Sequence, residues 1–160
     1  MKAITEVKNM ANENHLQQLK QGVEHWNAWR KLHSEIRPDL SRANLSQANL
    51  SGVDFSRANL VNTDLSQADL SNADLSDTNI GFADLNGANL SNADLNNADL
   101  SAIDLSNADL SGANLSNADL SGACLFGATL SRANLSNANL YYADLSEVKC
   151  SNDSNTLANN

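Results

Sequence analysis

A five-residue repeat runs without interruption from residue 36 to residue 145 and limits the possible folds more than any other feature. The segment divides into twenty-two blocks, such as SRANL and SNADL, and each block ends on a large apolar residue. That residue is Leu in twenty blocks and Phe55 or Ile80 in the other two. Ala stands two positions earlier in most blocks, and Asp or Asn stands between the two except at Cys124 and Thr129. The fold must therefore bury one large apolar side chain every five residues.

This period excludes the ordinary regular elements. Five residues of an α-helix turn through about 500°, so successive Leu residues lie about 140° apart and share no face. On a straight strand an odd spacing points successive Leu residues to opposite sides. The chain must therefore turn once in each block, with Ala and Leu facing inward, Asp or Asn facing outward, and Ser with Asn, Gly, Gln or Arg at the corner. Repeated sides of this kind wind into an all-β solenoid with Leu and Ala inside.

The number of sides in each coil is left open by the spacing, because three, four or five sides all satisfy it. Blocks such as ADLSD at residues 73–77 resemble those of the pentapeptide-repeat family. The resemblance covers about 110 of the 160 residues. It implies a right-handed quadrilateral β-helix with four blocks in each coil, which makes about 5.5 coils at roughly 4.8 Å per coil.

The segment before the repeat, residues 1–35, is predicted to form an N-terminal α-helical cap, because an open solenoid end exposes backbone groups and core. Gly22 is expected to divide it into two short helices, and Asn12 or Asn14 is a candidate N-cap. Trp26 and Trp29 are interpreted as a plug over the first coil, with a partner-binding helix as the alternative. The cap residues are Leu16, Leu19, Val23, Trp26 and Trp29.

Two further segments complete the predicted domain organisation. Residues 36–150 are assigned to the β-helix, since the block at 146–150 keeps the pattern weakly. The polar residues 151–160 are predicted to form a disordered tail. The string from residue 22 to residue 45, GVEHWNAWRKLHSEIRPDLSRANL, also resembles the leader of some cyanobacterial members of the pentapeptide-repeat family.

Charge and hydropathy limit the partners. The net charge is −9, and residues 36–145 carry thirteen Asp against four Arg. An acidic body repels phosphates, so we expect no direct nucleic-acid binding. The N-terminal residues contain no long apolar run, so neither a signal peptide nor a membrane span is predicted, and the predicted location is cytoplasmic.

Catalytic and metal-binding chemistry is not expected, and neither is a cofactor. The three histidines, His15, His25 and His33, match no metal-ligand spacing and lie before the repeat. Cys124 occupies an outward position and Cys150 an inward one, so a disulfide between them is not predicted. A filled solenoid core also offers no concave pocket where titratable groups converge.

Acidic columns follow from the implied four-sided coil, because residues twenty apart then stack. Asp64, Asp84 and Asp104 form one column, continued by Cys124 and Asp144. The opposite face carries Asp54, Asp74 and Asp94. These columns are either solvated surface positions or an imitation of a phosphate backbone. Repulsion between like charges predicts raised pKa values in the columns and a fold that loses stability as the pH rises.

Aromatic residues replace small polar ones at two corners near the C-terminal end. Phe126 follows one side of the coil, and Tyr141 and Tyr142 precede the side directly below it, with Cys124 between them. Corner side chains point outward, so these rings are predicted to be partly exposed. They form either a contact surface, for a second copy of the chain or another protein, or a makeshift cap over the last coil.

Two functional hypotheses follow. The first is a rigid, non-catalytic protein–protein interaction module with an unidentified partner, because flat repetitive faces with a few deviating residues suit protein binding. The second comes from the resemblance: some members of the family resemble B-form DNA in size and charge and bind DNA gyrase. The acidic faces agree with that hypothesis. The short rod, the absence of loop insertions and the helical cap count against it.

Overall fold

A computed structural model of the chain describes residues 11–150. The predicted disordered tail, residues 151–160, lies outside the described residues, as do the first ten residues of the predicted cap. Two helices come first in the described chain, and four-sided coils of the repeat follow them.

The two helices are α1, Glu13–Leu19, and α2, Val23–Leu32. The side chain of Asn12 accepts hydrogen bonds from the backbone N–H groups of Asn14 and His15, so Asn12 is the N-cap of α1. Gly22 separates the helices at a φ of 104°, a conformation that suits a residue without Cβ. The division into two short helices at Gly22 is therefore confirmed.

Parallel bridges pair residues twenty apart throughout the repeat, from Asp39 with Asn59 to Thr129 with Lys149. Each is a single bridge, because the chain turns again after three residues. The N–H of Leu90 donates to the carbonyl oxygen of Asp109 at 2.7 Å, and the N–H of Asn89 donates to that of Ala68 at 2.9 Å. Each inward side of a middle coil is thus bonded to the coil before it and the coil after it, and a coil takes twenty residues, or four blocks.

Each corner is a tight turn. The N–H of Ala58 donates to the carbonyl oxygen of Phe55 at 2.9 Å, and the residue before the Ala has a positive φ, as in a type II turn. At non-glycine residues these φ angles lie between 51° and 62°. The left-handed region costs most L-residues about 1–2 kcal/mol, whereas Asn and Gly adopt it more readily. The turn therefore explains why Asn and Gly recur at this position.

The core is a stack of Leu and Ala side chains along the axis of the coil. Leu60 to Leu130 are almost completely buried at every fifth position, with Ile80 in the same role. The buried hydroxyls of Thr63 and Thr78 donate to the carbonyl oxygens of Leu40 and Leu75, which offsets the cost of burying them. Burial falls off in the last described coil, where Leu145 is 37% exposed.

Replacement of a leucine in the middle of the rod should destabilise the fold strongly. Leu90→Ala removes a fully buried side chain, and we expect a loss of about 2–5 kcal/mol in the free energy of unfolding, because a cavity remains between stacked coils. Leu145→Ala is the matched control, and it should cost less than half as much. Urea denaturation monitored by circular dichroism measures both; equal losses would contradict an axial core.

Candidate interaction surfaces

The helical pair packs on the first coil through Trp26, which is completely buried. Its ring meets Phe55 edge-on at 5.6 Å between ring centroids and contacts Trp29 at 5.2 Å. Leu19 is also buried, and the other predicted cap residues are partly buried against the same core: Leu16, Val23 and Trp29. The structure thus brings all five predicted cap residues onto one apolar cluster.

Polar side chains of the helices form hydrogen bonds with the backbone of the first coil. In the described part of the chain, no other coil precedes this one, because the two helices come before it. Trp26 Nε1 donates to the carbonyl oxygen of Asp54 at 2.7 Å. Asn27 Nδ2 donates to the carbonyl oxygen of Gly52, and its Oδ1 accepts from the N–H of Asp54, both at 2.8 Å. His15 Nδ1 accepts from the N–H of Asp39 at 3.0 Å. The helices therefore replace bonds that another coil would make.

Arg30 is a buried charge in this contact that sequence reasoning missed. Its two terminal nitrogens each donate at 2.8 Å, Nη1 to the carbonyl oxygen of Ile36 and Nη2 to that of Ser56. Nε lies 3.8 Å from a carboxylate oxygen of Asp54 and has no hydrogen-bond partner. The spacing in the sequence could have indicated this, because Arg30 is four residues after Trp26 and therefore lies on the same face of the helix.

A groove of about 380 Å³ lies beside this contact, between α1 and the sides of the first coil at residues 43–50. Its lining is mostly apolar, with Leu16, Leu19, Leu45 and Leu50, and Lys20 is its one titratable side chain. General acid–base chemistry needs at least a pair of positioned groups. The groove therefore offers no catalytic constellation.

The acidic columns stand where residues twenty apart stack. Asp64, Asp84 and Asp104 lie in consecutive bridges. The same column continues through Cys124 to Asp144. The second column joins Asp54, Asp74 and Asp94, and continues with asparagine at position 114.

Each of these carboxylates also takes part in the turn that follows it, which the sequence analysis did not foresee. Asp64 Oδ1 accepts from the N–H of Ser66 at 3.0 Å and from its hydroxyl at 2.7 Å. Asparagine can fill the same position, since its side-chain oxygen accepts in the same way: Asn134 Oδ1 bonds the N–H of Ser136 at 3.1 Å. The outward Asp or Asn of a block thus anchors the corner two residues later.

The expectation of raised pKa values is wrong for Asp144, a member of the first column. The hydroxyl of Ser146, followed by its N–H, lowers the pKa of Asp144 below 3.8. The pKa of Asp69 is lowered by the hydroxyl and N–H of Ser71, and that of Asp119 by the N–H and hydroxyl of Ser121. Amide groups one coil on, from Asn89 and Asn139, add to the lowering of the last two pKa values. Local hydrogen bonds to the ionised form dominate at these three sites.

The aromatic residues near the C-terminal end occupy two corners of one side of the coil. The rings of Tyr141 and Tyr142 lie 4.0 Å apart, and the Tyr141 hydroxyl donates to that of Tyr142 at 3.1 Å. They are 65% and 80% exposed, and Phe126, at the next corner, is 41% exposed. Cys124 is half-buried on the face between them, with Sγ 3.1 Å from the Ser106 hydroxyl. Both cysteines are free thiols.

Within residues 11–150, no three His, Cys, Asp or Glu side chains are grouped so that they could hold a metal ion. Neither α1 nor α2 has the length and apolar character needed to cross a bilayer, and no other described residue is helical.

Loss of the tryptophan plug should detach the helices from the coil. For Trp26→Ala we expect a loss of about 3–5 kcal/mol in unfolding free energy, because a buried ring and its hydrogen bond disappear together. Leu32→Ala is the control, since Leu32 is 80% exposed on the same helix, and it should shift stability by less than about 0.5 kcal/mol. Denaturant melts compare the two; similar values would refute the role of Trp26.

Acid should destabilise the fold through the three carboxyls with lowered pKa values. A folded pKa below the unfolded value gives stability that is fully present above about pH 5 and is lost as the pH falls through the folded pKa. The melting temperature should therefore drop between pH 5 and pH 3. In the variant D69N/D119N/D144N the drop should be smaller, because Asn keeps the acceptor without titrating. A melting temperature that rises throughout acidification would contradict this sign.

The repeat is similar to sequences and structures of known proteins. The family model described as "Pentapeptide repeats" matches with eight copies, at residues 39–77, 73–112, 93–132 and 113–149. No curated protein sequence matches the chain. Among solved structures, Rfr23, a pentapeptide repeat protein from the cyanobacterium Cyanothece 51142, is 29% identical, with 79% of this chain and 94% of that one covered and a TM-score of 0.58.

Two further solved structures come from Nostoc PCC 7120. The pentapeptide repeat protein alr5209 is 36% identical, with 78% of this chain and 94% of that one covered and a TM-score of 0.37. HetL, a pentapeptide repeat protein involved in heterocyst differentiation regulation, is 30% identical, with 68% of this chain and 66% of that one covered and a TM-score of 0.29.

Proposed function

This chain belongs to the pentapeptide-repeat family, and on that premise we propose that it is a rigid, non-catalytic interaction module that binds another protein through the outer surface of its coil. Proteins of the family are structural and interaction modules, and no catalytic family is indicated. They form right-handed quadrilateral β-helices, and we propose that this chain does so with about 5.5 coils between residues 36 and 145. A cytoplasmic location remains a prediction.

The exposed aromatic group at the last described coil carries this proposal. Tyr141 and Tyr142 hold two rings in contact, tilted by 50°, at 65% and 80% exposure, on a rod whose other corners are mostly amide, hydroxyl or glycine. Clustered exposed aromatics supply much of the binding energy at protein interfaces. The filled core and the absence of a catalytic constellation in the groove leave the outer surface as the functional part.

The triple variant F126S/Y141S/Y142S tests the proposal. An interface predicts weaker association with an unchanged melting temperature, because exposed rings contribute little to the core. A makeshift cap predicts a lower melting temperature with association unchanged or increased. Arg132→Ser, an exposed corner residue of the same coil, is the control. Light scattering after size-exclusion chromatography measures self-association, and cross-linked capture measures other partners; no change in either would contradict the proposal.

DNA mimicry is a second candidate, favoured by the density of charge. Residues 58–131 contain ten Asp and neither Lys nor Arg. At one strand spacing per coil, this is about one negative charge per 1.8 Å of rod, against roughly 1.7 Å for duplex DNA. A DNA gyrase supercoiling assay decides between the hypotheses. Inhibition at micromolar protein that D74N/D94N relieves would support mimicry, and unimpaired supercoiling would remove it.

A further inference from the structure

One corner of the rod differs from the other three. Along it, the residue of positive φ is Phe82, Ala102, Gly122 and Tyr142 in four successive coils, a set called here the aromatic edge. Backbone hydrogen bonds link these corners from coil to coil. The N–H groups of Phe82, Ala102 and Gly122 donate to the carbonyl oxygens of Ser101, Ser121 and Tyr141, respectively. At the other three corners this position holds Asn, Gln, Arg, Asp, Glu or Gly. The two rings stand three coils apart, or about 14 Å.

The two rings contribute little to the stability of the fold. Phe82 is 65% exposed and Tyr142 is 80% exposed, so neither contributes a buried side chain to the core. Their φ angles are 59° and 61°, a region where a bulky L-residue is strained and where Asn or Gly is at ease. Strained positions in rigid structures are often functional. The aromatic edge therefore points to a role outside folding.

Carboxylates flank the aromatic edge on both sides. Asp84, Asp104 and Asp144 each follow a residue of the edge by two positions, within about 7 Å of chain reach. On the preceding side of the coil, Asp99 and Asp119 each stand three positions before the edge, within about 10 Å, and Asn79 and Asn139 hold that position beside the two rings. Residues 58–131 contain no Lys or Arg. Within that part of the coil, no basic side chain neutralises the carboxylates. The edge is a narrow apolar ridge with three carboxylates on one side and two on the other.

We propose that the aromatic edge docks an extended, arginine-rich polypeptide segment that lies along the axis of the rod. The proposal rests on the proposed function and names the chemical class of the partner. A guanidinium group stacks on the face of Phe82 or Tyr142 while its N–H groups donate to the neighbouring carboxylates. Ala102 and Gly122 are small, so the partner's backbone passes between the rings. About four to five extended residues span the 14 Å.

Binding of a fluorescein-labelled octa-arginine peptide to the full chain, followed by fluorescence anisotropy at low salt, tests the proposal. We expect F82N/Y142N to weaken binding about tenfold, because both stacking partners are lost. Its melting temperature should hold or rise, since Asn suits the turn. D84N/D104N should also weaken binding. D74N/D94N, which removes two charges in the same register on the opposite face, should change the dissociation constant by less than about twofold.

Two results would overturn the proposal. One is the absence of octa-arginine binding at low salt. The other is equal weakening by D84N/D104N and D74N/D94N with no effect of F82N/Y142N, which is diffuse attraction to an acidic rod. The single variant Phe82→Asn separates this inference from the proposed function, because it leaves the C-terminal aromatics intact. If F126S/Y141S/Y142S loses association while Phe82→Asn does not alter peptide binding, the proposed interaction module is supported and the arginine-rich partner is ruled out.

Discussion

Hydrogen bonds between successive coils are the interaction on which the rest of this structure depends. From Leu40 to Leu130, each inward Leu donates its N–H to a carbonyl nineteen residues later, so the sides of the middle coils are paired with the side above and the side below. The bonding places chemically equivalent residues in columns, which is why the apolar side chains form one axial core and the outward Asp residues form rows. A first coil has no coil above it, and its backbone must find other partners. The two helices supply these partners.

The outward carboxylates combine a local attraction with a weak repulsion along their columns. Stacked Asp residues repel across a spacing of about 5 Å, but in water this costs only about 0.8 kcal/mol per pair. A carboxylate that accepts a hydroxyl and an N–H from the same corner gains two charge-assisted bonds. The pKa values of Asp69, Asp119 and Asp144 are lowered accordingly. Asp69 and Asp144 also lack a charged neighbour in their columns, since the paired residues are Asn and Cys.

The sequence was sufficient for features that repeat and for features that depend on single-residue geometry. The inward and outward positions followed from the five-residue period, and the helix boundary followed from Gly22. The likeness to cyanobacterial members of the family is confirmed by the solved structure of Rfr23. The bonds of His15, Asn27 and Arg30 were not predicted, because their partners are backbone groups that come within reach only after the helices dock. Phe82 was missed for a related reason: its column is visible only once residues twenty apart are compared at the corners.

In a periodic fold, a residue that departs from the repeat is informative, because the equivalent position in every other coil shows which residue types the fold itself favours. Asn, Gly and Gln fill most corners and meet the demands of the turn, so a Phe or Tyr there is not explained by the turn. A ring over the first coil is different: Trp26 is buried and hydrogen-bonded, and the fold accounts for it fully. Phe82 and Tyr142 have the opposite combination, with exposed rings on strained backbone. Burial separates the aromatics that hold this rod together from those left available to a partner, and among the latter Phe82 and Tyr142 share one corner flanked by carboxylates.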